Sequence, residues 1–145
     1  MKKITIQDIQ KFKGNGKPFA TITAYDYVSA QNADAVDIPL VLVGDSAAMV
    51  VYGMDNTIPI SMDELIFLVR AVCRGTEKAL VVADMPFMSY QASVEDAVRN
   101  AGRFVKEGGA SAVKLEGGSP FVSQIRAIID AGIPVMGHVG LLPQS

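Results

Sequence analysis

The chain's 145 residues are the length of one ordinary domain, and half of them are hydrophobic against 19% charged, which excludes a disordered tail or a low-complexity linker. Thirteen Lys and Arg stand against 15 Asp and Glu, a formal charge of -2, with no basic cluster interleaved with aromatics, so nucleic acid is not an expected partner. No apolar run approaches the ~18 residues that span a membrane, MKKITIQDIQ turns polar where a signal peptide would turn apolar, and the single Cys73 fits a reducing cytoplasm.

In chain order, TIQDIQKFK places Ile6, Ile9 and Phe12 at helical spacing behind Thr5 as a candidate N-cap. FATITAY (19–25) reads as a strand, DYVSAQNADAVD as a short helix and PLVLVGD (39–45) as a second strand. A longer connection leads to SMDELIFLVRAVCRG, a helix with Ser61 and Glu64 in capping-box spacing, Leu65, Leu68, Val69 and Val72 on one face, and a stop at Gly75. Cys73 in this helix reads as a small buried hydrophobe.

ALVVAD (79–84) is the third strand; the helix SVEDAVRNAGRFVKEGG follows, capped by Ser93, with Ala97, Ala101, Phe104 and Val105 facing inward. SAVKLEGG (111–118), the helix SPFVSQIRAIIDAG and the strand IPVMGHVG (133–140) complete the order. Met85 and Met88 are expected to pack. Five continuously apolar strands alternating with helices imply a parallel sheet covered by helices, and no linker or repeat divides residues 1–145, so a single domain is expected. An open doubly wound sheet would carry a Gly-rich first turn, whereas the first strand here ends in TAYDY. The expected fold is therefore α/β, a (β/α)8 TIM barrel represented by about five β/α units and an N-terminal helix.

In a parallel sheet every strand end lies on one face, and polar residues collect there: Tyr25 and Asp26, Asp45 and Ser46, Asp84, Lys114 and Glu116, and His138. Each has a plainer reading. Asp26 and Asp84 can cap the helices that follow them, with capping favoured for Asp26. Lys114 and Glu116 project to the same side of their strand and can form a buried ion pair. A lone histidine is more often structural, and EGG can be turn punctuation. What the plainer readings leave over is three carboxylates, a lysine and a histidine on one rim. Three carboxylates with one histidine and no second cysteine suit a hard cation, Mg2+ first, which can polarise a keto oxygen; Lys114 adds positive charge where negative charge gathers.

The stretches TAYDY (23–27), LVGDS (42–46), TIPI with its helix ending AVCRG, ADMPFMSY (83–90), VKLEGG (113–118) and GHVGLLPQS (137–145) resemble the ketopantoate hydroxymethyltransferase family, in the family's order and over nearly the whole chain. The resemblance implies a barrel that binds Mg2+ through Asp45, Asp84 and Glu116. It implies that Asp45, Ser46, Asp84 and Lys114 hold α-ketoisovalerate, with Lys114 and His138 as the catalytic residues of this stretch. The implied reaction transfers a hydroxymethyl group from methylenetetrahydrofolate to the oxo acid in pantothenate and coenzyme A biosynthesis, in a cytoplasmic homo-oligomer.

Two departures accompany the resemblance. Met54 stands at the family's usual histidine, and the family's general base is a glutamate on a later strand than those present. The chain is thus expected to be the N-terminal portion of such an enzyme, whose open strand edges invite association. Two rivals are an oxo-acid carbon–carbon lyase or mutase of the phosphoenolpyruvate mutase/isocitrate lyase type, which should lack GHVGLLPQS, and an inactive half-barrel or subunit.

Overall fold

A computed structural model describes residues 3–144 apart from 15 and 17. Five strands, β1 (Thr21–Thr23), β2 (Leu40–Val43), β3 (Leu80–Asp84), β4 (Ala112–Glu116) and β5 (Val135–His138), form one sheet in the order β1-β2-β3-β4-β5. Every neighbouring pair is parallel. A strand order that follows the sequence without reversal is that of a barrel wall, whereas a doubly wound sheet reverses at a switch point. The chain is an α/β protein with the fold of a partial (β/α) barrel, as the sequence pattern leads one to expect.

Among the described residues, six α-helices lie between and before the strands: α1 (Ile6–Phe12), α2 (Tyr27–Ala35), α3 (Ala47–Val50), α4 (Met62–Gly75), α5 (Val94–Arg103) and α6 (Val122–Asp130). Capping chemistry fixes their starts. Thr5, Asp26, Ser61 and Ser93 each accept the N3 backbone N–H, and Thr5, Asp26 and Ser61 complete reciprocal capping boxes. Asp26 is thereby a helix cap, the reading favoured for it from the sequence.

Strand periodicity divides the sheet into two faces. Val41, Val43, Val81, Ala83, Val113 and Leu115 point outward into the main core, where Leu65, Val69, Val72, Ala97, Ala101, Phe104 and Ile128 of the helical layer meet them. Leu40, Leu80, Val82 and Ala112 point inward, and Ile4, Ile6 and Ile9 of the α1 segment pack on them. Helix α1 therefore fills the end of the concave face where the strands begin, and leaves the end where they finish to polar residues. On the outer layer α4 closes on α2 so tightly that a Cβ at Gly75 would lie 2.5 Å from the Tyr27 carbonyl oxygen, which any larger residue would have to force apart.

Four local expectations differ from the structure. The strand read over 19–25 shortens to Thr21–Thr23, all three residues exposed, because β1 is paired on one side only. Part of the connection after β2 winds into α3. Val105 is 37% exposed and not inward: α5 passes into a π-helical turn over Phe104–Gly108, whose wider spacing rotates Val105 off the buried face. Met85 is buried as expected, but Met88 sits at φ 64° and is exposed. Cys73 is partly buried, and burial pushes its thiol up to about 11, which leaves it unreactive at neutral pH.

Asp34 holds the turn that feeds β3. Its carboxylate, nearly buried at the end of α2, accepts N–H bonds from Glu77 (3.1 Å), Lys78 (3.0 Å) and Ala79 (2.8 Å). Burial pushes its pKa up, but these backbone bonds outweigh burial and hold the carboxyl below its ordinary value. Replacing Asp34 with Ala is expected to cost about 2–4 kcal/mol in urea unfolding, since it strips three donors of one charged acceptor; a loss under about 0.5 kcal/mol would contradict this role.

Candidate active site at the strand ends

The inward-facing alternation that puts Leu80 and Val82 on α1 puts Asp84 on the same face one step further, at the end of β3. The same holds for Lys114 and Glu116 on β4 and His138 on β5. Strand register then decides which of them touch. Asp84 is laterally paired with Lys114, and Glu116 with His138. The Lys114 ammonium accordingly donates to both Asp84 oxygens at 2.8 Å, and His138 Nδ1 stands 3.4 Å from Glu116 Oε2. The buried Lys114–Glu116 ion pair considered from the sequence does not form: two residues apart along a strand are ~6.6 Å apart, while lateral neighbours are ~4.8 Å apart.

Asp84 is 2% exposed. Burial pushes its carboxyl up to about 6; the Lys114 charge and hydrogen bonds pull it down, and the neighbouring Asp45 charge pushes it further up. One lysine thus leaves this carboxylate pair short of positive charge. Asp45, two residues past β2, is also buried. Its own N–H donates to Asp84 Oδ2 at 3.3 Å, which turns the β2 end onto the β3 end. A Cβ at Gly44 would lie 2.8 Å from Ser46 Oγ, so any larger residue there would have to displace the Ser46 hydroxyl.

Ser46 opens α3 without using its hydroxyl as a helix cap; the hydroxyl is hydrogen-bonded to the Tyr25 phenol at 2.8 Å instead. Glu116 is buried and accepts the Gln144 backbone N–H on Oε1 at 2.9 Å. His138 Nδ1 lies close to Glu116 Oε2, but the approach is misaligned for a hydrogen bond, and Nδ1 is a buried nitrogen without a hydrogen-bond partner.

All six site residues expected from the sequence, Asp45, Ser46, Asp84, Lys114, Glu116 and His138, stand at this one end of the sheet. They do not converge as a three-carboxylate cage: among the described residues no group of three His, Cys, Asp or Glu side chains is placed to hold a metal ion together. Asp45 and Asp84 are adjacent, whereas Glu116 is joined to Asp45 only through Gln144, whose side-chain Nε2 donates to Asp45 Oδ2 at 2.8 Å. Two buried carboxylates with a deficit of positive charge fit a hard cation that takes one or two protein carboxylates and completes its shell with water and ligand oxygens. Glu116 fits a supporting place beside them.

Two residues of the site carry no local signal of their role. Tyr90 is fully buried, with its phenol against the Glu116 carbonyl and Gln144 Oε1, both at 3.0 Å, and its ring edge-on to Phe121. Gln144 belongs to the loop after β5, which Thr57 ties down through a 3.3 Å bond to the Pro143 carbonyl. Both lie inside stretches that identify the family by pattern, ADMPFMSY and GHVGLLPQS, and their partners come from distant segments.

Residues 3–145 match the family model of ketopantoate hydroxymethyltransferase. The chain is 54% identical over 144 residues to 3-methyl-2-oxobutanoate hydroxymethyltransferase of Thermobifida fusca, covering 99% of this chain and 51% of that protein. It is 56% identical over 144 residues to the enzyme of the same name from Geobacter metallireducens, covering 99% and 54%. The chain thus spans about half the length of the curated relatives it matches. Among solved structures it is similar to phosphoenolpyruvate phosphomutase from Streptomyces platensis subsp. rosaceus, with a TM-score of 0.73 at 15% identity over 92% of this chain and 53% of that one. It is also similar to a phosphonopyruvate hydrolase solved with oxalate and Mg2+, with a TM-score of 0.72 at 17% identity over 94% and 52%. These two likenesses share the fold alone. The family model's match over residues 3–145, with 54% identity to a curated relative along 99% of the chain, makes this chain a member of the ketopantoate hydroxymethyltransferase family.

Proposed function

We propose that this chain carries the metal- and oxo-acid-binding half of a hydroxymethyltransferase that converts α-ketoisovalerate to ketopantoate with methylenetetrahydrofolate as one-carbon donor, for pantothenate and coenzyme A synthesis. The observation that carries the reading is the buried Asp45–Asp84 pair beside Lys114 and Ser46, in a chain 54% identical to curated enzymes of that name. Mg2+, held by Asp45 and Asp84 with Glu116 in support, would act as a Lewis acid on the keto group and ease loss of the neighbouring proton.

The chain's own residues do the rest of the binding. Lys114 is 14% exposed at its side chain and spends its bonds on Asp84 alone, so its ammonium can turn to an anionic oxo acid once Asp84 is otherwise engaged. Ser46 offers a hydroxyl whose direction Tyr25 sets. His138, half-exposed on the same face, lines the path to the reacting carbon and can pass a proton or steady a developing charge. The folate co-substrate and a homo-oligomeric assembly in the cytoplasm rest on the family, as does the placing of the proton-abstracting base on a later strand.

The lyase or mutase alternative shares the fold at 15–17% identity in the structures compared, and nothing in the site favours it. Among the described residues, no helix is long and apolar enough to cross a membrane.

Two measurements test the reading. Asp84→Ala is expected to weaken Mg2+-dependent binding of α-ketoisovalerate by at least about tenfold in calorimetry; unchanged affinity would remove Asp84 from the ligand set. The second follows from charge. A carboxyl with a pKa of about 6 is protonated below that pH, and a protonated carboxyl is a poor ligand, so a divalent ion must displace the proton. Divalent affinity is expected to hold steady above pH 7 and to fall up to about tenfold per unit as pH drops below about 6. A flat profile from pH 7 to pH 5 would contradict the assignment.

A further inference from the structure

Gln144 is an uncharged residue buried between the Asp45 and Glu116 carboxylates, and all of its side-chain hydrogen-bonding capacity is committed. Its Nε2 donates one proton to Asp45 Oδ2 at 2.8 Å and the other to the Met85 carbonyl at 3.0 Å. Its Oε1 faces the Tyr90 phenol at 3.0 Å and Gln91 Nε2 at 3.4 Å, and its backbone N–H donates to Glu116 Oε1 at 2.9 Å. This environment fixes the amide's orientation, since reversing it would set an oxygen against two acceptors and an NH2 against another NH2 donor. Only 4% of the residue is exposed, and Thr57 anchors the preceding carbonyl, so the amide is held from both sides.

The consequence falls on Asp45. With Oδ2 engaged by the Gln144 amide, Oδ1 is the Asp45 oxygen without a protein donor among the described residues and the one most open to a cation, which favours monodentate ligation over a chelating pair. Glu116 is restrained in the same way by the backbone N–H on Oε1. Mg2+ is bound through single carboxylate oxygens in a tight octahedron, whereas Ca2+ accepts more ligands, longer bonds and bidentate carboxylates. We infer that Gln144 is a positioning residue that, by occupying Asp45 Oδ2, makes the site select Mg2+ over Ca2+. The inference rests on the metal reading proposed above and adds to it which ion the site prefers and which residue imposes the preference.

The test is a competition titration. Mn2+ bound to the protein is followed by its paramagnetic resonance signal and displaced separately by Mg2+ and by Ca2+. It is run in the wild-type chain and in Gln144→Met, which keeps side-chain length and the backbone N–H but removes the amide. The preference for Mg2+ over Ca2+ is expected to fall by about tenfold, within the range typical of residues that orient metal ligands. Gln144→Asn, an amide one methylene too short to keep Asp45 and the backbone contact together, is expected to lower the preference in the same direction and serves if Gln144→Met does not fold by circular dichroism. A merely structural role would weaken both ions alike and leave the ratio unchanged; an unchanged or raised ratio overturns the inference while leaving the metal reading standing. Failure of the wild-type chain to bind Mn2+ at all would overturn the metal reading, and this inference with it.

Discussion

Lateral pairing of β3, β4 and β5 is the constraint on which the site depends. Parallel strands in register bring Asp84 beside Lys114 and Glu116 beside His138, and the inward alternation of each strand aims all four at the concave face. A shift of one residue in any of these strands would turn its polar residue outward into the apolar layer and bring a valine or alanine inward. The buried outward residues Val81, Ala83, Val113 and Leu115 therefore guard the site's geometry as much as they build the core.

Burial and charge then work against each other in a useful way. The carboxylates of Asp45, Asp84 and Glu116 are almost wholly removed from water, where unpaired charge is costly. Lys114 answers for one of them. The amide and backbone of Gln144 answer part of the need of the other two without adding charge. What is left is a site that is hydrogen-bonded yet short of positive charge, and burial together with the Asp45 charge lets Asp84 hold its proton to about 6. The α1 segment covers the opposite end of the concave face with Ile4, Ile6 and Ile9, so the polar groups gather at the end where the strands finish.

Much of this was legible in the sequence, and the parts that were not share a physical cause. Strand–helix alternation, the five strand ends and the caps at Thr5, Asp26, Ser61 and Ser93 are written locally, in periodicity and in residues that bond to backbone three positions on. The pairing of Lys114 with Asp84 is not local, since it is set by register between strands 30 residues apart. Gln144 is 99 residues from Asp45, and a glutamine in a loop has no periodicity or charge partner to announce it. The outward turn of Val105 depends on a π-helical turn that the pattern of apolar residues does not encode. The family resemblance pointed to the right stretches because those stretches hold the distant contacts, although Tyr90 and Gln144 within them gained a role only from the fold.

The central claim is that Asp45 and Asp84 share one divalent cation at the mouth of the sheet. A crystal structure grown with Mg2+ and an oxo acid tests it most directly. The account requires one octahedral ion about 2.1 Å from a single oxygen of each aspartate, with Gln144 still bonded to Asp45 Oδ2 and the remaining positions filled by water and the oxo acid. An ion bound elsewhere, or an oxo acid seated on Lys114 and Ser46 with Asp45 and Asp84 free of metal, would contradict it.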